Sequence, residues 1–218
     1  MRTIAFVSQK GGSGKSTVAS SLAVAARETN EKVAVVDMDP QGSLMNWLKL
    51  RNSADIEVVA SNGARLPAVL ARLKADDCTL AIIDTPGAEG PASSAAIMAA
   101  DLSIVPSRPS VFDLWASAKT CDAIKAAGGD FVFLLNQCPA ARQTARVRDG
   151  VETLEELGGL LSPLVLARQD YQEAARQGLG VTELDPRSDA AEEMRDLWIS
   201  IRRRLAKARP RTLARSAA

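Results

Sequence analysis

The segment Lys10-Gly-Gly-Ser-Gly-Lys-Ser-Thr17 contains the residue types that bind a polyphosphate. Its glycines allow the backbone to turn tightly around an anion, so that successive N–H groups can point at phosphate oxygens. The Lys15 ammonium would neutralise charge on the β- and γ-phosphates, and the Ser16 hydroxyl would bind Mg²⁺. The segment therefore predicts a nucleotide site whose contacts are Gly11, Gly12, Ser13, Gly14, Lys15, Ser16 and Thr17.

Carboxylates at the ends of two later apolar runs are the other candidates for this chemistry. Asp37 and Asp39 follow the run that begins at Lys32, and on an extended chain residues two apart share one face. Asp84 ends the run Leu80–Asp84, where a carboxylate can hold Mg²⁺ through a water molecule opposite Ser16. Because ligands of open α/β sheets bind at the carboxyl ends of the strands, we expect all three carboxylates near the glycine-rich segment.

Histidine is absent from the 218 residues, which excludes Ser-His-Asp and Cys-His catalysis and histidine-ligated metals within this chain. Cys78, Cys121 and Cys138 are scattered, which favours buried reduced thiols over a disulfide framework or a zinc site. Apolar residues make up 46% of the chain, yet no apolar run approaches the roughly 18 residues of a membrane span. We therefore expect a soluble, cytoplasmic globular protein.

Apolar runs alternate with helical patterns along most of the chain. The runs typical of buried parallel strands are Thr3–Ser8, Lys32–Asp37, Glu57–Ala60, Thr79–Asp84, Leu102–Pro106, Phe131–Asn136 and Leu164–Ala167. The first helical pattern continues from the glycine-rich segment to about Thr29, and the others are Ala64–Lys74, Phe112–Ala127, Thr144–Leu157, Tyr171–Gln177 and Ala190–Lys207. This alternation predicts an α/β fold in which a mostly parallel, twisted sheet carries helices on both faces.

Three blocks of the sequence together resemble the ParA/MinD family of ATPases. Lys10–Thr17 resembles the family's deviant Walker A loop, although Gln9 stands where the general P-loop pattern has a glycine. Asp37-Met-Asp-Pro-Gln-Gly42 resembles the Walker A′ block, and Leu80–Gly87 resembles Walker B. The resemblance covers most of the chain and implies a P-loop NTPase of the SIMIBI type that binds ATP and Mg²⁺.

The same resemblance implies roles for single residues. Lys10 would reach across an ATP-dependent homodimer to the partner's nucleotide, Lys15 would contact the phosphates of its own subunit, and Asp39 would orient or deprotonate the attacking water. Asn136 would contact the adenine edge, whereas a strand-end asparagine can also be a simple turn residue. The implied catalytic residues are Lys10, Lys15 and Asp39, and the implied metal site comprises Ser16, Asp37 and Asp84.

Other segments resemble family loops around the nucleotide and the dimer contacts. Thr85–Gly87 begins a loop positioned to sense the γ-phosphate. Val105–Trp115 enters a helix that Ser110 or Asp113 could cap, and it has both a structural and an interface interpretation. A later group that resembles the family near the nucleotide and dimer contacts consists of Arg168, Tyr171 and Gly178–Glu183.

The charges are distributed unevenly along the chain. Seven of the 27 basic residues lie beyond residue 201, where there is no acidic residue, so the preceding part has a net charge of −6. A basic end on an acidic body suggests a polyanionic partner. The candidates for nonspecific contacts to DNA phosphates are Arg202, Arg203, Arg204 and Lys207. The structural alternative is a terminal helix that packs on the sheet and leaves its basic face in solvent.

Residues 1–208 are predicted to form a single ATPase domain, and residues 209–218 a flexible basic tail. That tail contains one large apolar residue, Leu213, which argues against a membrane anchor. The chain is thus predicted to be a short ParA-type ATPase that hydrolyses ATP slowly with Mg²⁺, dimerises on ATP and binds nucleoid DNA. With a ParB-like centromere-binding partner it would drive plasmid or DNA segregation.

Two related functions remain open. One is an ATPase that positions a chromosome or an organelle-like cargo, and the other is a MinD-like regulator that cycles on a membrane. A metal-cluster carrier is disfavoured because the three cysteines form no close pair in the sequence. A metabolic kinase would need a substrate pocket that the sequence does not identify.

Overall fold

Six strands form one sheet in the computed structural model, which describes residues 1–140 and 144–207. The strands are β1 (Arg2–Phe6), β2 (Val33–Asp37), β3 (Glu57–Ala60), β4 (Leu80–Asp84), β5 (Leu102–Ser107) and β6 (Phe131–Leu135). Their order across the sheet is β3-β2-β4-β1-β5-β6, and each neighbouring pair is parallel. The predicted parallel sheet is confirmed.

Helices connect and cover these strands in the described part of the chain. They are α1 (Lys15–Arg27), α2 (Ser43–Leu50), α3 (Leu66–Ala75), α4 (Pro91–Ala99), α5 (Val111–Ala126), α6 (Ala145–Leu157), α7 (Gln169–Arg176), α8 (Val181–Leu184) and α9 (Asp189–Lys207). The sequence did not predict α2, α4 or α8. Small and apolar residues occupy all faces of α4, so its sequence lacks the periodicity that indicates a helix. Helices α2 and α8 are short.

Side chains alternate between two cores, one on each face of the sheet. In β1, Ile4 and Phe6 pack in a core with α1, α2, α7, α8 and α9, while Ala5 packs in the other core with α3, α4, α5 and α6. Strands that are apolar on both faces need cover on both, which explains their near-continuous hydrophobicity. The prediction of helices on both faces is confirmed.

The predicted strand Leu164–Ala167 is wrong. Leu166 makes only an isolated bridge to Cys138, beyond the end of β6. The segment does follow the edge of β6, since Leu161 N–H donates to Phe133 O and Val165 N–H donates to Leu135 O. Pro163 lies between these two hydrogen bonds and has no N–H to donate, so the ladder is interrupted.

Other expectations concern the cysteines, the membrane and the tail. Cys78, Cys121 and Cys138 are buried thiols that form no disulfide, as predicted. Across residues 1–140 and 144–207, no helix is both long and apolar enough to span a membrane. The predicted basic tail, residues 209–218, lies outside the described residues, and the single-domain boundary stays a prediction.

A buried ion-pair network joins the end of α2 to α8 and to the segment just before α8. The Arg51 guanidinium is almost fully buried and donates to both oxygens of Asp55 and both oxygens of Glu183, at 2.7 to 2.9 Å. It also donates to Gly178 O at 3.1 Å. Because a buried guanidinium needs acceptors for its N–H groups, this network fixes the position of α2, which borders the site described below.

Gly178→Ala is expected to destabilise the protein far more than Gly128→Ala. Both glycines have a positive φ, +71° and +63°, so alanine costs about 1 kcal/mol of backbone strain at either position. A Cβ on Gly178 would also lie 2.4 Å from Arg51 N, whereas a Cβ on Gly128 would meet no atom within 4 Å. We expect a loss of more than about 3 kcal/mol at Gly178 in urea unfolding. Equal losses would contradict the close packing of Gly178 on α2.

Candidate nucleotide-binding site

The backbone between β1 and α1, residues 8–14, forms the phosphate loop. Gly12 and Gly14 have φ angles of +75° and +90°, which residues with a Cβ rarely adopt, and Gly14 immediately precedes α1. The loop after β4 packs closely on it, because a Cβ on Gly87 would lie 2.9 Å from Gly11 Cα. These glycines therefore serve both the turn and the close approach of two backbones.

A cavity of about 650 Å³ lies at the phosphate loop and the start of α1. The loop after β2, the loop after β4, α2 and α7 complete its walls. Its lining includes Gly11, Gly12, Gly14, Lys15, Ser16, Thr17, Asp39, Pro40, Trp47 and Gly87. The carboxyl ends of parallel strands meet at this edge of the sheet, as predicted, and the volume suits a nucleotide.

Lys15 belongs to this cavity. Its side chain lines the wall, the residue is 7% exposed, and Nζ donates to Lys10 O at 3.4 Å. Burial lowers the pKa of Lys15, against the opposing charges of Asp84 and Asp39. The Lys15 ammonium is largely desolvated, and its hydrogen bond to the loop is long. It is therefore suited to bind an anion.

Lys10 is not among the described residues that line the cavity, although its backbone carbonyl accepts the hydrogen bond from Lys15 Nζ. Its charge acts on Asp113, which is buried at the start of α5. Burial works against ionisation of Asp113, but hydrogen bonds from Arg108 and Ser110 and the charges of Arg108 and Lys10 hold its pKa below the ordinary value. The two lysines of the glycine-rich segment therefore occupy different environments.

Asp84 and Ser16 meet at the base of the cavity. Ser16 Oγ donates to Asp84 Oδ2 at 2.5 Å, and Asp84 is fully buried. Its second oxygen, Oδ1, has no hydrogen-bond partner among the described residues. Burial, together with the charges of Asp37 and Asp39, raises the pKa of Asp84 to about 7 despite the hydrogen bond from Ser16 and the charge of Lys15.

The hard oxygen donors at this point fit Mg²⁺. Ser16 supplies a hydroxyl and Asp84 a carboxylate oxygen that lacks a partner among the described residues. Within the described ranges no group of three or more Asp, Glu, Cys or His side chains converges on one point. Mg²⁺ commonly binds through one or two protein ligands plus phosphate oxygens and water, so the residues present suit a metal that arrives with a nucleotide.

Asp37 and Asp39 make different contacts although they are two residues apart. Asp37 is buried and accepts hydrogen bonds from the backbone N–H groups of Asp39, Leu44 and Met45 at 3.0 to 3.1 Å, so it caps the start of α2. Asp39 Oδ1 accepts from Gln41 N–H, and Asp39 lines the cavity. The catalytic role of Asp39 and the metal role of Asp37 stay predictions.

A second cavity of about 220 Å³, the side cavity, adjoins the phosphate loop at Gly14 and Thr17. Asn136 lines it, but both polar atoms of its amide are engaged: Nδ2 donates to Ser13 O at 2.8 Å, and Oδ1 accepts from Gln137 N–H at 2.9 Å. The predicted adenine contact of Asn136 therefore stays a prediction. Arg168 and Tyr171 line the same cavity, and Tyr171 donates to Glu193 at 2.8 Å.

The basic residues of α9 lie at the opposite edge of the sheet. Arg202 lines a cavity with Arg2 and Leu80, which begin β1 and β4. Arg202, Arg203 and Lys207 are exposed, whereas Arg204 is half-buried and donates to Asp130 at 3.0 Å. The helix packs on the sheet as the structural alternative expects, and three of its four candidate cations face solvent.

The start of α5 carries an exposed apolar patch, within the segment Val105–Trp115 for which the sequence left both a structural and an interface interpretation open. Val111, Phe112 and Trp115 are 57%, 69% and 63% exposed, and the two rings contact edge to face with centroids 5.7 Å apart. Ser110 caps the helix, as predicted, by accepting from Asp113 N–H. Exposed aromatic residues at this density are typical of an interaction surface.

Comparisons with known proteins identify relatives along nearly the whole chain. Residues 4–190 match the family described as the CobQ/CobB/MinD/ParA nucleotide binding domain. The chain is 29% identical over 205 residues to the maintenance of carboxysome distribution protein A of Halothiobacillus neapolitanus, covering 89% of this chain and 94% of that protein. It is 30% identical over 186 residues to the protein of the same name from Gloeobacter kilaueensis, covering 84% of each.

A solved structure shares the fold. Apo McdA from Cyanothece superimposes with a TM-score of 0.77 at 20% identity, covering 94% of this chain and 99% of that one. At this identity the likeness is one of fold alone. The sheet, the phosphate loop and the covering helices thus follow a known architecture.

Asp84→Asn is expected to flatten the pH dependence of stability in the nucleotide-free protein. The folded protein retains the Asp84 proton up to about pH 7, whereas the unfolded chain loses it near pH 3.8. Because the folded state binds more protons between these values, the wild-type free energy of unfolding falls as pH rises, by up to about 1.4 kcal/mol per pH unit from this group. Urea unfolding between about pH 5 and about pH 7 measures both slopes, and identical slopes would contradict a pKa of Asp84 that burial has raised.

Proposed function

This chain belongs to the CobQ/CobB/MinD/ParA nucleotide-binding family, whose ParA and MinD members are P-loop ATPases, and we propose that it is an ATPase that dimerises around ATP to position a large cargo. The phosphate loop and the 650 Å³ cavity support binding of the nucleotide. The side cavity beside Gly14 and Thr17 offers room for the base.

The observation that carries this proposal is the separation of the two lysines. Lys15 lines the cavity, whereas Lys10 does not line it, and the charge of Lys10 acts on Asp113. An ammonium that does not line the cavity of its own subunit is available to neutralise charge elsewhere. A second copy facing the loop would receive it, which supports a dimer closed around two nucleotides.

The exposed apolar patch supports the same arrangement. Phe112 and Trp115 are on α5, whose first turn contains Asp113, and the Asp113 partner Arg108 lies beside the phosphate loop, with Nη1 4.0 Å from where a Gly12 Cβ would be. Aromatic residues are enriched in the buried centres of interfaces. Burying these rings between two copies would place the apolar contacts next to the nucleotides.

The described residues support slow hydrolysis. The backbone N–H groups of the phosphate loop would bind phosphate oxygens, Lys15 would neutralise their charge, and Asp39 would orient the attacking water. Mg²⁺ held by Ser16 and Asp84 would neutralise charge on the β- and γ-phosphates. No histidine is available as a base, so positioning and electrostatics supply the rate enhancement and a partner protein would be needed for faster turnover.

The relatives favour an organelle-like cargo over a plasmid. Two proteins named for maintaining carboxysome distribution match 84% or more of this chain. We therefore propose a protein assembly as the cargo, recruited through an adaptor that stimulates hydrolysis, rather than a ParB-bound centromere. The exposed end of α9 would bind nucleoid DNA nonspecifically, and this DNA would be the surface in the cytoplasm along which the cargo is positioned.

The experiment that tests this function compares Lys15→Ala with Lys10→Ala. Lys15→Ala should weaken ATP binding about 100-fold or more, because the substitution removes a charge-assisted hydrogen bond inside the cavity. Lys10→Ala should leave ATP affinity within about threefold of wild type at protein concentrations where the chain is monomeric, yet abolish ATP-dependent dimerisation and hydrolysis. A fluorescent ATP analogue measures the affinity, and light scattering measures the dimer.

The pair of variants provides its own control, since both remove one ammonium from the same loop. Similar reductions of monomer affinity in the two variants would show that both lysines serve one subunit's nucleotide. A Lys10→Ala protein that still dimerises and hydrolyses ATP would also contradict the proposed closure.

Replacing Arg202, Arg203 and Lys207 together by Ala should weaken nonspecific DNA binding and reduce its salt dependence. A plot of log K against log salt has a negative slope, and this slope should become less steep by about 0.9 for each phosphate that the variant no longer neutralises. The matched control removes three exposed cations elsewhere, Lys49, Arg65 and Lys74, and should leave the slope nearly unchanged. Equal effects of the two triple variants would mean that net charge, and not the end of α9, determines DNA binding.

A further inference from the structure

Three consecutive carbonyl groups of the phosphate loop are held by donors outside the main cavity. Gly12 O accepts from Gln137 Nε2 at 3.0 Å, and Ser13 O accepts from Asn136 Nδ2 at 2.8 Å. Gly14 O accepts from Val18 N–H at 2.9 Å, in the first turn of α1. The first two donors are side-chain amides of adjacent residues that directly follow β6.

The two amides are themselves fixed in place. Asn136 is buried, and its Oδ1 accepts from the backbone N–H of Gln137 at 2.9 Å. Gln137 has a φ of +54°, a strained conformation for a residue with a side chain. The hydrogen bonds that both amides donate to the loop offset the cost of this conformation.

Gly14 is shaped to the Asn136 amide. A Cβ on Gly14 would lie 2.3 Å from Asn136 Nδ2, so the amide occupies the space that any other residue would need. The φ of Gly14, +90°, gives a second reason for glycine at this position. The close contact between Asn136 and the phosphate loop therefore depends on the residue types at both position 136 and position 14.

We infer that Asn136 and Gln137 are positioning residues that orient the phosphate loop for the triphosphate. This inference rests on the proposed function. In a trans peptide the C=O and the following N–H point in opposite directions. Holding Gly12 O and Ser13 O therefore directs the N–H groups of Ser13 and Gly14 away from the amides.

The two possible roles of Asn136 differ in what they predict for the ligand. A residue that contacts adenine affects ATP and leaves a ligand without a base unchanged. A residue that orients the loop affects every ligand with a polyphosphate chain equally, because preorganised N–H groups serve only the phosphates. Inorganic tripolyphosphate has the chain and no base, so it separates the two roles.

The experiment measures the dissociation constants of ATP, GTP and tripolyphosphate by competition, for wild type, Asn136→Ala and Gln137→Ala. Removal of one buried hydrogen bond should weaken all three ligands about tenfold in Asn136→Ala, with the ratio of ATP to GTP affinity unchanged. The exposed Gln137 amide should contribute about threefold, again for all three ligands.

Gln177→Ala is the matched control. Gln177 is an exposed amide that donates to Glu173 Oε1, and it lines neither the main cavity nor the side cavity. Its removal should leave tripolyphosphate binding unchanged. Thermal unfolding without nucleotide is measured in parallel, so that affinities are compared at a temperature where each variant is fully folded.

A weakening in Asn136→Ala that is confined to ATP, or unchanged affinity for all three ligands, would overturn the inference. Should Asn136→Ala not fold, the surface variant Gln137→Ala decides alone: a weakening common to the three ligands supports the inference, and unchanged binding overturns it. A wild-type protein that binds neither ATP nor tripolyphosphate would instead overturn the proposed function, and this inference with it.

Discussion

A turn that binds phosphate must direct several N–H groups to one point while the carbonyl groups of the same peptides find partners elsewhere. In this protein the turn lies between β1 and α1, and its carbonyls at residues 12, 13 and 14 are bonded to Gln137, Asn136 and Val18. The central position of β1 in the sheet makes this possible, because the ends of β4 and β6 and the start of α1 all reach the loop. The surrounding strands and helices therefore hold that turn in a conformation that can bind phosphate.

Two ionisable groups at the site, Asp84 and Lys15, are poorly solvated in the nucleotide-free protein. Asp84 is fully buried, with a pKa raised to about 7, and one of its oxygens has no partner among the described residues. Burial also lowers the pKa of Lys15. Groups that are poorly solvated in the free protein interact strongly with an incoming ligand of complementary charge, which couples nucleotide binding to stability.

The sequence predicted those parts of the site that depend on local backbone chemistry. The glycines of the loop and the carboxylates at the ends of β2 and β4 follow from turn geometry and strand polarity, and the structure brings them to one edge. The capping of α2 by Asp37 and the bonds from Asn136 to the loop depend on tertiary packing, which a single sequence does not encode locally. Trp47, Arg108 and Gln137 have no motif of their own, and only the fold brings them to the cavity or the loop. Leu164–Ala167 resembles a strand in composition, but Pro163 interrupts its pairing.

The central claim is that Lys10 completes the nucleotide site of a second copy, and mixing two inactive variants tests it most directly. Lys10→Ala lacks the donated ammonium, and Asp39→Ala lacks the residue proposed to orient the water, so neither should hydrolyse ATP alone. In a mixed dimer the Lys10→Ala subunit keeps Asp39 and receives Lys10 from its partner, so mixing should restore ATP turnover at one of the two sites of each mixed dimer. No recovery on mixing, with dimers formed, would contradict the account, because it would place Lys10 in the site of its own subunit.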